Sequence, residues 1–144
     1  MIRPLERRDR ESYLAMAREF YDSPAVDHSV PDVHLERTFD ALMNGTPYAD
    51  CYLFEEEDRI VGYALLARTW SQEAGGETLW IEELYLRPES RGKGLGQQFF
   101  AWLKEREHPA RFRLETEPEN ERAKALYRRQ GFRFLNYESF ILGE

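Results

Sequence analysis

Leu79-Trp80-Ile81-Glu82-Glu83-Leu84-Tyr85-Leu86-Arg87-Pro88-Glu89-Ser90-Arg91-Gly92-Lys93-Gly94-Leu95-Gly96-Gln97-Gln98-Phe99-Phe100 is the stretch that decides the fold. Its first part, Leu79 to Leu86, is an apolar, β-prone run interrupted only by Glu82 and Glu83. A basic glycine turn follows, and then an amphipathic helix that carries Leu95, Phe99, Trp102 and Leu103 at helical spacing. Strand, glycine turn and helix in that order leave backbone N–H groups unpaired at a helix N-terminus. Such an end favours an anion through both the N–H groups and the macrodipole. Glycine permits close approach because no Cβ stands in the way. Arg91 and Lys93 add positive charge at the same place.

Spacing narrows the kind of phosphate site. A Walker loop needs G-x-x-x-x-G-K-[ST], and a dinucleotide fingerprint needs G-x-G-x-x-G. Here Gly92, Gly94 and Gly96 fall at every second position and match neither. The pattern Arg91-x-x-Gly94-x-Gly96, just after a strand ending at Leu86, resembles the acetyl-CoA loop of the GNAT N-acetyltransferase superfamily. Downstream, Asn120-x-x-Ala123-x-x-Leu126-Tyr127-x-x-x-Gly131-Phe132 is similar to that family's second signature. Both occur in order, which makes the pair far more specific than the glycine turn alone.

The composition fits a compact enzyme domain. The chain has 144 residues, of which 42% are hydrophobic and 33% charged, enough to bury a core and too charged for a membrane span. One cysteine, Cys51, excludes an internal disulfide and a cysteine-built zinc site. No residue cluster has metal-ligand spacing, so no metal is expected. Met1-Ile2-Arg3-Pro4 shows no apolar secretion segment, and a cytoplasmic location is the plain expectation. A net charge of −7 argues against a broad nucleic-acid surface and suits a cationic small substrate. Solubility alone is an equally simple reason for acidity.

Taken in order, Ile2 to Leu5 reads as a first strand, and Asp9 as the cap of a helix running to about Phe20. Asp22-Ser23-Pro24 stops that helix, and a second begins near Pro31 or Asp32 and ends at Asn44-Gly45. Tyr48 to Phe54 and Ile60 to Trp70 form a hairpin whose turn, Glu55 to Asp58, reads as a solvated acidic tip. Phe112 and Leu114 mark a strand, Asn120 leads into a helix closed at Gly131, and Phe132 to Leu142 reads as the last strands. The whole chain, 1–144, is expected to be one α/β (α+β) domain, with a mixed sheet of about six or seven strands and about four helices.

The resemblance implies a function and a set of residues. Gly92 to Gln97, with Arg91, Lys93, Gly94, Leu95 and Gly96, would hold the CoA diphosphate. Leu84, Tyr85 and Leu86 would hold the pantetheine arm along a strand edge, near a backbone N–H that faces the thioester oxygen. Asn120 matches a cofactor-contacting asparagine, and is equally suited to capping the helix that follows it. Tyr127 matches the family's general acid; a phenol of pKa about 10 can protonate a thiolate of pKa about 8.5. Its plainer use is as a core aromatic between Leu126 and Phe132.

Glu82 is the candidate base, acting through a water, because a carboxylate within an apolar strand is costly unless paired, solvated or functional. Strict alternation sends Glu82 and Glu83 to opposite faces, unless a bulge intervenes. The run Ile81 to Leu86 is similar to that of spermidine/spermine N-acetyltransferases and their bacterial relatives, where the first acidic residue matches Glu82. The plainer alternatives are a pairing with a buried arginine for Glu82 and a solvated position for Glu83. Glu115 falls where ribosomal-protein N-terminal acetyltransferases place a base.

The expected activity is acetyl transfer from acetyl-CoA to a primary amine of a small cationic molecule, by direct transfer. Peptide or protein N-acetylation and a non-catalytic acyl-CoA binding module are the alternatives. No nucleic-acid or membrane partner is expected, and the apolar last strands, with Phe134, Tyr137, Phe140 and Ile141, suit a homodimer.

Overall fold

The computed structural model describes residues 1–26 and 28–143. The strands are β1 (Ile2–Pro4), β2 (Ala49–Glu56), β3 (Arg59–Ser71), β4 (Gly76–Leu86) and β5 (Arg111–Leu114). The helices are α1 (Arg10–Tyr21), α2 (Asp32–Met43), α3 (Leu95–Arg106) and α4 (Glu121–Arg129). The strands lie in the order β1-β2-β3-β4-β5, antiparallel up to β4, with β5 parallel to β4. A parallel neighbour needs a crossover, and α3 supplies it.

The sheet buries both faces. On one face α1 and α2 bring Tyr13, Met16, Ala17, Leu35 and Phe39 onto Cys51, Leu53, Tyr63 and Tyr85. On the other, α3 brings Phe99, Phe100 and Leu103 onto Tyr52, Phe54, Leu66, Leu79 and Ile81. Alternation along β2 explains the split, since Cys51 and Leu53 face one side and Tyr52 and Phe54 the other. Cys51 is buried as a small apolar group.

The mixed α/β architecture agrees with the sequence reading, but the strand count is five. Phe132 to Leu142 is not a strand: among the described residues its backbone bonds only to Tyr127 of α4 and within itself, and an apolar run cannot be a strand alone. Asp9 precedes α1 without capping it. Its carboxylate turns back to accept from Arg3 at 2.8 and 2.9 Å and from the Glu6 N–H at 2.8 Å. That contact holds the Asp9 carboxyl below its ordinary pKa. Arg3 also donates to Glu55 at 2.6 Å, so the acidic tip is only partly a solvated one. The hairpin turns at Glu57 and Asp58, both left-handed, as a two-residue turn requires.

One irregularity in the central hairpin positions everything near the glycine turn. Leu65 pairs with Glu83 and Leu66 with Ile81, so Glu82 is the extra residue of a β-bulge. Before the bulge, Leu79 and Ile81 face α3; after it, Leu84 and Leu86 pack on that side while Tyr85 turns to α1. Glu83, which an unbroken strand would send with Ile81, therefore joins the α1 face. There it accepts hydrogen bonds from the Tyr63 hydroxyl at 2.7 Å and from the Tyr21 hydroxyl. Burial still raises its pKa, against the opposing pull of those two bonds. Glu83 is thus a paired, inward carboxylate and not a solvated one.

Two predictions follow from this packing. A Cβ on Gly62 would sit 2.3 Å from the Tyr85 carbonyl oxygen and 2.8 Å from Leu86 Cδ2. Gly62→Ala should cost about 1–3 kcal/mol in urea unfolding, the usual penalty of overpacking; unchanged stability would mean that β3 and β4 can part freely. Glu83 has a raised folded pKa, so wild-type stability should fall as pH rises through its titration. Measured against wild type, Glu83→Gln should gain relative stability over that range. A difference that stays constant with pH would show that Glu83 titrates normally.

Candidate active site

The site begins where two parallel strands part. β5 ends at Leu114, opposite Ile81, while β4 runs on to Leu86. From Glu82 onward no strand among the described residues pairs with β4 on that side, and its edge opens into a cleft of about 560 Å³. Leu84, Tyr85 and Leu86 form one wall. The glycine turn and the start of α3 form a second, through Arg91, Gly92, Gly94, Leu95, Gly96 and Gln97. Asn120, Leu126 and Tyr127 of the α4 region close a third.

Local chemistry explains the turn. After Leu86 the chain makes a single 3-10 turn, Pro88–Ser90, and buries Ser90. Arg91 folds back, donating from Nε to the Leu86 carbonyl at 2.9 Å with its guanidinium 5.6 Å from the Tyr85 ring. Gly92 and Gly94 have φ of 76° and 83°, the left-handed region that other residues resist. Gly94 is the N-cap of α3 and brings no capping side chain. The first-turn N–H groups behind it lack intrahelical acceptors and border the cleft. Gly96 serves packing: a Cβ there would lie 2.9 Å from Leu126 Cδ2, so α3 and α4 meet closely at this point.

Ten of the residues singled out for cofactor contact line this one cleft, namely Leu84, Tyr85, Leu86, Arg91, Gly92, Gly94, Leu95, Gly96, Gln97 and Asn120. Lys93 is exposed and does not line it. Asn120 caps α4, its Oδ1 accepting from the Ala123 N–H at 3.2 Å, and borders the cleft as well. Tyr127 packs edge-on against Phe100 at 6.0 Å and Phe132 at 6.1 Å. Burial raises its phenol pKa, which keeps the proton on at neutral pH. Among the described residues its hydroxyl has no hydrogen-bond partner, and the ring lines the cleft.

Glu82, the extra residue of the bulge, does not line the cleft; it precedes by two positions Leu84, which does. The Glu82 side chain reaches solvent, yet the surrounding protein desolvates it enough to raise its pKa, helped by the charges of Glu83 and Glu115. Among the described residues no arginine or lysine pairs with it. Glu115 lies just past β5 and accepts from the Ser139 hydroxyl at 2.6 Å. Three carboxylates from β4 and the end of β5 thus share one neighbourhood.

Some of the lining was not visible in the sequence. Phe20, Ser23, Pro24 and Ala25 reach the cleft from the end of α1, a region that the family resemblance assigns to the acceptor side but in which no single residue stands out in the sequence. Glu117 and Glu119 border it too, as do Arg122 and Arg129 of α4. The Arg122 guanidinium lies 3.3 Å from where a Cβ on Gly92 would be, so it is a second cation at the glycine turn. The two arginines fall seven apart on one helix, a spacing that does mark a common face.

Comparison with known proteins agrees with this geometry. The family model described as "Acetyltransferase (GNAT) family" matches residues 11–132. An uncharacterized N-acetyltransferase in the pepI 3' region of Lactobacillus delbrueckii subsp. lactis is 28% identical over 95% of the chain and 86% of its own length. Among solved structures, a possible acetyltransferase from Clostridium difficile 630 superposes with a TM-score of 0.82. It shares 21% identity over 100% of this chain and 97% of that one. The aminoglycoside N-acetyltransferase AAC(6')-Iy, solved in complex with CoA, superposes with a TM-score of 0.79. Its identity is 14%, over 99% of this chain and 93% of that one. With a glycine turn, an opened strand edge and a match spanning most of its length, the chain belongs to the GNAT family of acetyltransferases.

Proposed function

We propose that this enzyme moves an acetyl group from acetyl-CoA to a primary amine of a small cationic molecule, by direct transfer. One observation carries the reading: the glycine turn, the unpaired β4 edge and the Tyr127 ring all border a single cleft. The residues present suit the donor. Left-handed Gly92 and Gly94, the free N–H groups of α3 and the guanidinium groups of Arg91 and Arg122 form an anion cradle for a diphosphate. The open edge from Leu84 to Leu86 offers backbone groups to an extended amide-bearing arm, as an added strand would use them. The donor itself supplies a thioester carbonyl of ordinary reactivity.

Glu82 takes the proton from the incoming ammonium, directly or through a water, leaving a neutral nitrogen to attack the carbonyl carbon. A raised pKa makes Glu82 a stronger base than a free carboxylate. The new C–N bond forms, the C–S bond breaks, and Tyr127 gives its phenolic proton to the departing sulfur. The nitrogen of the adduct sheds its second proton, which restores the Tyr127 phenol through water, and the proton held by Glu82 is released to solvent, so both groups are restored and one proton is set free per turnover. Glu83 and Glu115, close enough to act on Glu82, favour an acceptor that carries positive charge.

Isothermal calorimetry with CoA should give a clear heat for wild type and none for Gly94→Val, because valine resists the left-handed backbone at φ 83°. No heat with the wild-type protein would remove the reading altogether. In a thiol-release assay with polyamines and aminoglycosides, Tyr127→Phe should lower turnover about 10²-fold while CoA affinity holds. Equal turnover would take Tyr127 out of the proton-donor role. The wild-type kcat/KM should rise with pH on an acid limb above the ordinary carboxylate range, and Glu82→Gln should lose that limb.

A further inference from the structure

Arg91 borders the cleft from an exposed position, and two contacts hold it there. Its Nε donates to the Leu86 carbonyl at 2.9 Å, and its guanidinium carbon lies 5.6 Å from the centre of the Tyr85 ring. With Nε engaged, the two terminal nitrogens remain free to meet an anion. Gly92, next in the chain, has no side chain with which to restrain the arginine. A guanidinium that is already held loses less freedom when it grips a ligand. Whatever fixes Tyr85 therefore bears on what Arg91 can do.

Tyr85 is fixed from the far side, by α1. Its hydroxyl donates to Glu19 Oε2 at 2.5 Å, and its ring stands edge-on to Phe20 at 6.2 Å. Burial, and then the bond to Glu19, push the phenol up to about 12, so the hydroxyl keeps its proton and stays the donor. A phenol that shares its proton with a carboxylate has a more electron-rich ring, and the negative face of the ring is what draws a cation. The other Glu19 oxygen faces Arg87 at 3.6 Å. Glu19, Tyr85, Arg87 and Arg91 line one depression, while Tyr85 and Arg91 also border the main cleft. The pair stands between the two.

We propose that Glu19 is a positioning residue for the donor: through the Tyr85 hydroxyl it fixes the ring against which Arg91 rests, and so presets the arginine for the CoA diphosphate. The inference rests on the acetyl-CoA reading given above. Glu19 does not itself line the main cleft, so its effect travels through Tyr85. Two simpler roles carry different signatures. As a bare negative charge near the diphosphate, Glu19 would repel the donor, and its removal would tighten binding. As a tether of α1 to β4 alone, it would act equally with or without Arg91.

Calorimetry with CoA separates the three. Glu19 is exposed, so Glu19→Ala should keep the wild-type circular dichroism spectrum. Glu19→Ala and Tyr85→Phe should each raise the Kd of CoA about two- to fivefold, the worth of an exposed cation–π contact. The two together should do no more than either alone, as members of one chain of contacts. In an Arg91→Ala background, where Arg122 and the α3 N–H groups still bind, adding Glu19→Ala should leave the Kd unchanged. No heat from CoA with the wild type would remove the acetyl-CoA reading and this inference with it. A wild type that binds CoA, beside a Glu19→Ala variant that binds equally or more tightly, would overturn this inference alone. So would a Glu19→Ala effect that persists in full without Arg91.

Discussion

The difference in length between two parallel strands governs this molecule. β5 stops opposite Ile81 and β4 continues to Leu86, so half of the central strand keeps one edge of backbone groups unpaired. Buried backbone groups need partners, and unpaired ones persist only where water or a ligand reaches them. The cleft is therefore a consequence of the sheet, not a hollow carved between finished elements. The crossover through α3 places the helix N-terminus at the mouth of the same opening, which brings its first-turn N–H groups and an open strand edge together.

The bulge at Glu82 is the second element of that design. A single extra residue reverses which side chains of β4 face α3, so Glu83 and Tyr85 turn to α1 while Leu84 and Leu86 pack beneath α3 and α4. It sends one of two adjacent carboxylates inward, onto the hydroxyls of Tyr21 and Tyr63, and leaves the other exposed. The inward carboxylate then acts electrostatically on its neighbour. Each holds a raised pKa mainly because it is desolvated, with like charge as a further cause at Glu82.

Around the opening, several contacts couple elements far apart in sequence. Tyr85 donates to Glu19 of α1 at 2.5 Å, and Arg87 reaches the same glutamate at 3.6 Å. Arg91 stacks over Tyr85 from the glycine turn. The end of α1, the central strand and the glycine turn thus form one connected wall. Gly96 joins the start of α3 to Leu126 of α4 on the opposite side. These are close contacts between short elements, which is how a small domain holds a sizeable cleft open.

Reading the chain by itself was enough for the features that depend on local spacing. The glycines at every second position, the apolar stripe of α3, the Asn120 cap and the strand before Arg91 are all short-range patterns, and the structure has them where the pattern puts them. The grouping of Arg91, Gly94, Gly96 and Asn120 around one cleft was legible as well, through two signatures in order. Tertiary structure alone decided the rest. The bulge at Glu82 arises from pairing β3 with β4, a register that no single strand encodes. Glu83 found its tyrosines on α1 and β3, and Arg122 reached Gly92 across the cleft. The apolar segment after Gly131 carries a strand's pattern without being a strand, because a strand exists only in a neighbour's hydrogen bonds.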